Sequence, residues 1–220
     1  MAWPKLLVLV RHAESEGNVR TSAERAKYPV STWEYPLTPH GEWQSGWAGD
    51  FVKREFGQFD VRYVSYYERS RQTMRIMFPH GKVYEDPRLA EAQRGIFHTL
   101  TNEEVAQRYP EEVRRKKLEG LYHYRPPGGE NWPDVELRIH SFLGTLNRDC
   151  DDKKVIMVVH GNWLILFQRL IHHFSIKEAV RRYKNATFDN ASVTWYESRI
   201  IRGQSRLILV GQNVVPWAGK

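Results

Sequence analysis

The sequence predicts an α/β fold, a three-layer sandwich on a mainly parallel sheet, and three observations support this class. Helix and strand signals alternate along most of the 220 residues, as expected when helices connect parallel strands. Two continuous apolar runs, Leu6–Val10 and Val155–Val159, have the composition of strands buried on both faces. A histidine, His12 or His160, follows each run within two residues. Sheets of this class place their ligands at the carboxyl ends of such strands.

Six segments have strand signals, namely short runs rich in apolar, β-branched and aromatic residues bounded by turn residues. They are residues 5–10, 61–65, 83–85, 155–159, 191–197 and 206–211. Helical signals lie between them, which is why a parallel sheet is favoured over an antiparallel one.

The first long helix is predicted from its two ends. Thr38 followed by Pro39 is typical of an N-cap and a first-turn proline, and Gly57 is a stop signal. Between these ends the large aromatic residues recur at roughly helical spacing, and we expect the tryptophans to pack in the core and on helix faces. These aromatic residues are Trp43, Trp47, Phe51 and Phe56.

Three later helices are predicted from caps and periodicity. Thr101 with Glu104 and Ser175 with Glu178 each fit a capping box. A helix from about Pro133 to Cys150 has one apolar face, which consists of Val135, Ile139, Phe142 and Leu146.

The alternation pauses between about residues 86 and 132, where short helical signals surround a Pro- and Gly-rich loop. Irregular segments of this kind often cover a site at the edge of a sheet and determine its specificity. No repeat, low-complexity tract or linker divides the chain. We therefore expect one domain over residues 1–220, with a lid or specificity insertion at about 86–132.

Composition limits the classes of protein and the compartment. The single cysteine, Cys150, excludes an internal disulfide and favours a reducing compartment. No apolar run reaches membrane-spanning length and no export signal is evident, so we expect a cytoplasmic protein without membrane association. The net charge of +7 derives partly from helix-face residues such as Arg114–Lys117. No nucleic-acid-binding signature accompanies this charge, so no nucleic-acid partner is expected.

The two strand-end histidines predict one site that handles a phosphoryl group. Arg11 and His12 together offer a fixed positive charge and a titratable nucleophile. A phosphoryl group in transfer spreads negative charge over its oxygens, so guanidinium groups and imidazoles suit it. Taken alone, His160 also fits a strand-end histidine that is bonded to backbone.

Four segments, in order along the chain, resemble the histidine phosphatase superfamily, the phosphoglycerate mutase-like enzymes. The first, Arg11-His12-Ala13-Glu14-Ser15 with Asn18 three residues on, departs from the family signature at Ala13, where glycine is usual. The other three are Ser65–Thr73 with Arg69, Arg88–Glu91 followed by Gly95, and Val158–Asn162 with His160.

The resemblance implies a role for each matching residue. It makes His12 the nucleophile, Glu91 the catalytic acid and His160 the second catalytic histidine. It assigns phosphate binding to Arg11, Asn18, Arg69 and His160, and substrate contact to Asn162. For Glu91, an ion-paired surface position is the alternative, and Arg69 also fits an exposed helix start.

One stretch is similar to the fructose-2,6-bisphosphatase branch of that superfamily. Tyr109-Pro110-Glu111-Glu112 precedes a Tyr-x-Tyr-Arg loop that ends at Asn131. This similarity implies that Tyr124 and Arg125 contact a sugar phosphate, although anchoring of the loop would explain both residues equally well. Leu121 replaces a lysine of that branch and Asn131 replaces a serine, which leaves the particular sugar phosphate open.

These residues predict a phosphomonoester hydrolase of the histidine acid phosphatase type, acting through phospho-His12 on a small phosphorylated metabolite such as a sugar phosphate. Neither a metal nor a cofactor is expected, because two arginines and two histidines supply the charge. A phosphoglycerate-type mutase is the alternative, although residues 20–36 lack the Phe-Thr-Gly-Trp-like segment of glycolytic mutases. A non-catalytic module that binds phosphorylated ligands is a third hypothesis. The oligomeric state is open and allows a homodimer.

Overall fold

The computed structural model describes residues 3–185 and 187–219 and contains the predicted α/β sandwich. Its sheet has the strand order β3-β2-β4-β1-β5-β6. The strands are β1 (Leu6–Arg11), β2 (Val61–Val64), β3 (Tyr84–Glu85), β4 (Lys154–Val159), β5 (Val193–Ile201) and β6 (Gln204–Val214). Each predicted strand is therefore confirmed in position.

The first four strands are parallel and the last two are antiparallel to their neighbours. β4 lies between β1 and β2 with parallel pairing on both sides, so the carboxyl ends of β1 and β4 meet at one edge. β5 pairs antiparallel with β1, and β6 with β5. The last two strands extend beyond the predicted ends because Arg202 and Gly203, both at positive φ, form a two-residue turn that continues the ladder.

Nine helices lie in the described ranges, together with two short 3₁₀ turns, Pro87–Leu89 and Gly95–Thr99. The helices are α1 (Glu16–Val19), α2 (Ser22–Lys27), α3 (Pro39–Phe56), α4 (Glu68–Met77), α5 (Asn102–Arg108), α6 (Pro110–His123), α7 (Trp132–Asp149), α8 (Gly161–His172) and α9 (Ile176–Asn185). A positive φ at Gly120 breaks the regular geometry of α6. The predicted helices at 39–56 and 133–150 are confirmed.

The predicted caps are confirmed in two places and in part at a third. Thr38 accepts a hydrogen bond from the Gly41 amide, with Pro39 in the first turn. Thr101 and Glu104 form a reciprocal capping box at α5. Ser175 accepts from the amide of Glu178, but the Glu178 carboxylate pairs with arginines one turn later.

Two apolar layers cover the two faces of the sheet, as alternation along β1 requires. Leu7 and Leu9 pack with α7 and α8, whereas Val8 and Val10 pack with α3 and α4. All four side chains are fully buried. The core therefore holds β1 rigidly on both faces, and its carboxyl end is a well-supported position for functional groups.

The tryptophans, which were expected in the core and on helix faces, differ in burial. Trp163 is fully buried, whereas Trp33 and Trp43 are 43% and 40% exposed. α3 turns small residues inward, and a Cβ on its Gly49 would lie only 3.0 Å from the Met77 Cα of α4. Trp43 stacks on His40 of the same helix, at the surface.

Gly41 allows α3 to approach the loop that follows His12, and we expect Gly41→Ala to destabilise the protein by about 1–3 kcal/mol. A Cβ at this position would overlap the Glu14 carbonyl oxygen, and helix and loop would have to separate. Gly46→Ala on the same helix is the control. A Cβ on Gly46 would meet no atom within 4 Å, so this substitution should stabilise the protein by about 0.5–1 kcal/mol. Urea unfolding measures both, and equal shifts in the two variants would contradict this explanation.

Candidate active site

His12 lies at the carboxyl end of β1, where the predicted site should be. Its amide donates to the Val159 carbonyl at 2.9 Å, which ties it to the end of β4. Its side chain is buried, and Nδ1 lies 2.8 Å from the Ala13 carbonyl oxygen. Because a carbonyl only accepts, Nδ1 bears the proton and Nε2 presents a lone pair. This is the tautomer that a nucleophilic histidine needs.

Arg69 joins the two histidines that the sequence analysis selected. Its Nε donates to His12 Nε2 at 3.1 Å, and its Nη2 donates to His160 Nδ1 at 3.2 Å. Nη1 donates to the Thr32 carbonyl, and the guanidinium lies 4.5 Å from the centre of the Tyr67 ring. Arg69 is buried, not exposed, so it presents a fixed set of donors.

His160 begins α8 at the end of β4 and is fully buried. Its ring centre lies 5.1 Å from that of His12. Nδ1 accepts from Arg69, so the proton is on Nε2, which lies 2.8 Å from the Ser65 hydroxyl. His160 was expected to donate to phosphoryl oxygens. Nδ1 becomes a donor only after protonation, which a bound dianion would favour.

Burial sets the protonation states of this cluster. The pKa of His12 and that of His160 lie well below the ordinary value, because burial and the nearby Arg69 disfavour a charged imidazole. Burial also lowers the pKa of Arg69 to about 10. At neutral pH two neutral imidazoles therefore lie beside a guanidinium that remains charged.

Arg11 contributes a buried donor without a partner. Its Nη1 donates to the Phe188 carbonyl, whereas its Nε is buried and has no hydrogen-bond partner among residues 3–185 and 187–219. Buried polar groups are nearly always paired in folded proteins. An oxyanion ligand would satisfy this N–H. Gly161, which has no side chain, leaves space for such a ligand next to Nε of Arg11.

Asn18 lies at the exposed rim of the cluster. Its Oδ1 accepts from the amide and hydroxyl of Ser15 and from the Asn190 side chain at 3.3 Å. Asn190 also donates to the His12 carbonyl at 3.0 Å. These side-chain hydrogen bonds are all accepted by Oδ1 of Asn18. Its side-chain nitrogen, Nδ2, is therefore the group available to a ligand.

Glu91 borders the cluster and is not in a surface ion pair. Its two carboxyl oxygens accept from the amides of Ala92 and Asn162 at 3.0 and 3.2 Å. Burial raises the pKa of the Glu91 carboxyl, although these amides and Arg69 oppose the shift. A raised pKa keeps the proton on the Glu91 carboxyl to a higher pH, which suits a group that is to donate it.

The remaining predicted substrate residues lie in different places. Asn162 and Tyr124 line a cavity next to Glu91. Tyr124 is buried, and its hydroxyl donates to Glu112. Arg125 does not line this cavity; it pairs with Asp134 at the start of α7 and is exposed. This ion pair is the kind of contact that the alternative of loop anchoring predicts for Arg125.

Two residues that contact the cluster had no role in the sequence analysis. Ser65 follows β2 directly and bonds His160, so the strand-end argument that selected the histidines applies to it as well. Asn190 has no local signal. It precedes β5, which is antiparallel to β1, and for that reason lies at the same edge as His12.

The described residues contain neither a group suited to a metal ion nor a helix suited to a membrane. Among residues 3–185 and 187–219, no three His, Cys, Asp or Glu side chains are grouped so as to hold a metal ion. Within those same ranges, every helix is too short or too polar to cross a membrane.

The chain is similar to proteins named as phosphoglycerate mutases and phosphatases. The model of the histidine phosphatase superfamily (branch 1) matches residues 7–209. A 2,3-bisphosphoglycerate-dependent phosphoglycerate mutase of Methylobacterium radiotolerans is 31% identical over 73% of this chain and 76% of its own. A 6-phosphofructo-2-kinase/fructose-2,6-bisphosphatase of Caenorhabditis elegans is 29% identical over 71% of this chain and 32% of its own. The α-ribazole phosphatase of Shigella flexneri superposes with a TM-score of 0.75 at 20% identity, covering 96% of this chain and 98% of that one.

Proposed function

The chain belongs to the histidine phosphatase superfamily, and we propose that it hydrolyses phosphomonoesters through a phosphohistidine on His12. The supporting observation is the state of His12 itself. Its Nδ1 proton is held by the Ala13 carbonyl, and its Nε2 lone pair faces the Arg69 guanidinium. A neutral, oriented imidazole beside fixed cationic donors is what covalent phosphoryl transfer needs.

In the first step, the His12 Nε2 lone pair attacks phosphorus and the P–O ester bond breaks. The bonding electrons go to the ester oxygen, which takes the proton of the Glu91 carboxyl and leaves as an alcohol. Arg11, Arg69 and the Asn18 amide donate to the three phosphoryl oxygens. Protonated His160 adds a fourth donor.

In the second step, the Glu91 carboxylate accepts a proton from water, whose oxygen attacks phosphorus. The N–P bond breaks and its electron pair returns to His12 Nε2. Inorganic phosphate is released and Glu91 is again protonated, so the enzyme is restored without a metal or a cofactor. We propose a small phosphorylated metabolite as the substrate, and residues 86–132 as the segment that selects it.

A mutase is the competing function, because relatives such as that of Methylobacterium radiotolerans are mutases. A mutase returns the phosphoryl group to a second oxygen of the substrate, whereas a phosphatase gives it to water. The absence from residues 20–36 of the segment typical of glycolytic mutases favours transfer to water.

A substrate panel in ¹⁸O-labelled water separates these functions. Phosphorylated sugars, glycerates, nucleotides and phosphopeptides are incubated with the protein. We expect free phosphate with one ¹⁸O atom per molecule, and no exchange between phosphoglycerate isomers. Isomer exchange without phosphate release would indicate a mutase, and binding with neither reaction would indicate a non-catalytic module.

We also propose the cytoplasm as the compartment. Cys150 is a buried free thiol, and burial raises its pKa. A buried cysteine in the thiol form needs no oxidising environment to be stable.

A further inference from the structure

A cavity of about 480 Å³ adjoins the candidate active site. It shares Glu91 and Asn162 with the site, and these two residues are hydrogen-bonded to each other. The rest of its wall comes from the 86–132 segment and from the neighbouring α7 and α9. A substrate whose phosphoryl group meets His12 would extend its esterified part past Glu91 into this space.

The wall of this cavity is largely apolar. Ten apolar or aromatic side chains provide most of its surface, and four of them are aromatic. They are Ala92, Phe97, Val105, Ala106, Val113, Leu121, Tyr124, Pro126, Trp132 and Tyr183.

Two of the acidic side chains of the wall are already paired. Glu112 pairs with Arg115 at 2.8 Å and accepts the Tyr124 hydroxyl. Glu130 pairs with Arg138, also at 2.8 Å. The polar part of the wall also contains Arg94, Lys116 and the amides of Gln93, Asn102 and Asn162. Apolar atoms still form most of the surface, and burying a hydroxyl against them without a partner is costly.

The size of the cavity is also informative. Pockets for whole small ligands occupy about 300–1,000 Å³, so this one can enclose more than the three-carbon body of a phosphoglycerate. Burial of apolar atoms against such a wall favours binding in proportion to the area removed from water.

We propose that the preferred substrates are phosphomonoesters with an apolar body, alkyl or aromatic, of six or more heavy atoms. This inference rests on the proposed hydrolase activity and specifies its substrate class. The phosphoryl group lies on the His12 cluster, and the body of the ester lies among the aromatic residues of the 86–132 segment.

A series of n-alkyl phosphates tests the proposal, because their leaving alcohols have nearly the same acidity. We expect kcat/KM to rise about fourfold per methylene, or about 200-fold from ethyl to hexyl phosphate. Propyl phosphate should be preferred to glycerol 1-phosphate at least tenfold. Values that differ by less than about twofold along the series, or a preference for glycerol 1-phosphate, would overturn the proposal while leaving hydrolysis intact. No hydrolysis of any ester would instead contradict the proposed function.

Two variants of α5 localise the effect. Ala106 lines the cavity and is exposed, so Ala106→Trp adds bulk at the wall without entering the core. We expect this variant to lower kcat/KM for hexyl phosphate about tenfold more than for ethyl phosphate. Gln107→Trp, exposed on the same helix and outside the wall, should change neither. Equal effects of the two variants would show that the alkyl chain binds elsewhere.

Discussion

His12→Ala is expected to lower kcat by at least about 10⁴-fold and to abolish phosphorylation of the protein. The reason is that Nε2 of His12 presents a lone pair beside the donors of Arg69 while the Ala13 carbonyl holds the Nδ1 proton. His160 also directs a lone pair at Arg69, from Nδ1, so labelling of the His12 variant tests which imidazole is the nucleophile. Rapid quenching after mixing with a ³²P-labelled ester measures both turnover and the phosphoenzyme.

His140→Ala is the matched control for this experiment. His140 is exposed on α7 and does not line the cavity next to Glu91, so its loss should leave labelling and turnover unchanged. Full labelling of the His12 variant, or equal losses in both variants, would show that the nucleophile is another residue.

Glu91→Gln is expected to slow phosphoenzyme formation from alkyl phosphates about 10²- to 10⁴-fold. The alkoxide that leaves such an ester is strongly basic and needs a proton, which glutamine cannot supply. With 4-nitrophenyl phosphate the leaving group is stable as an anion, so the loss should be under about tenfold. Single-turnover rates for the two substrates give the ratio directly.

The pH profile gives an independent test of Glu91. The reaction requires neutral His12, and burial places its pKa below the usual 6.5, so activity should be lost on acidification only below that value. It also requires protonated Glu91, whose pKa burial raises above 4.5. Activity should therefore decline as the pH rises through this raised value. With the same substrate, the Glu91→Gln variant should lack this decline of activity with rising pH.

Glu112→Gln is the control for both measurements, because Glu112 lines the same cavity but does not contact Asn162. It should retain the leaving-group dependence and the pH profile of the natural protein. If Glu91→Gln slowed both esters equally, Glu91 would be a structural residue and the proton donor would have to be sought elsewhere.

Local patterns in the sequence were sufficient for the fold and for most of the candidate site. The apolar runs before His12 and His160 predicted β1 and β4, and parallel pairing then required that their carboxyl ends meet. The four segments that resemble the family predicted Arg11, Arg69 and Glu91, and the structure brings these residues to one edge of the sheet. Such predictions succeed because strand formation and burial depend on contiguous residues.

Other features arose only from contacts between distant segments. Nothing near Asn190 indicates that it bonds the carbonyl of His12, 178 residues away, and Arg125 pairs with Asp134 rather than lining the cavity. On α3, Phe51 and Phe56 pack against the core whereas Trp43 is exposed, and this difference depends on where the helix packs.

The sequence alone determined where the buried strands end and which residues follow them, since strand ends follow from local apolar patterns. Only the tertiary structure decided the state in which those side chains are held. The neutral imidazole of His12, the raised pKa of Glu91 and the apolar wall beside it all depend on how much water the surrounding chain excludes. That exclusion is a property of the packed molecule, because residues from many separate segments enclose each group.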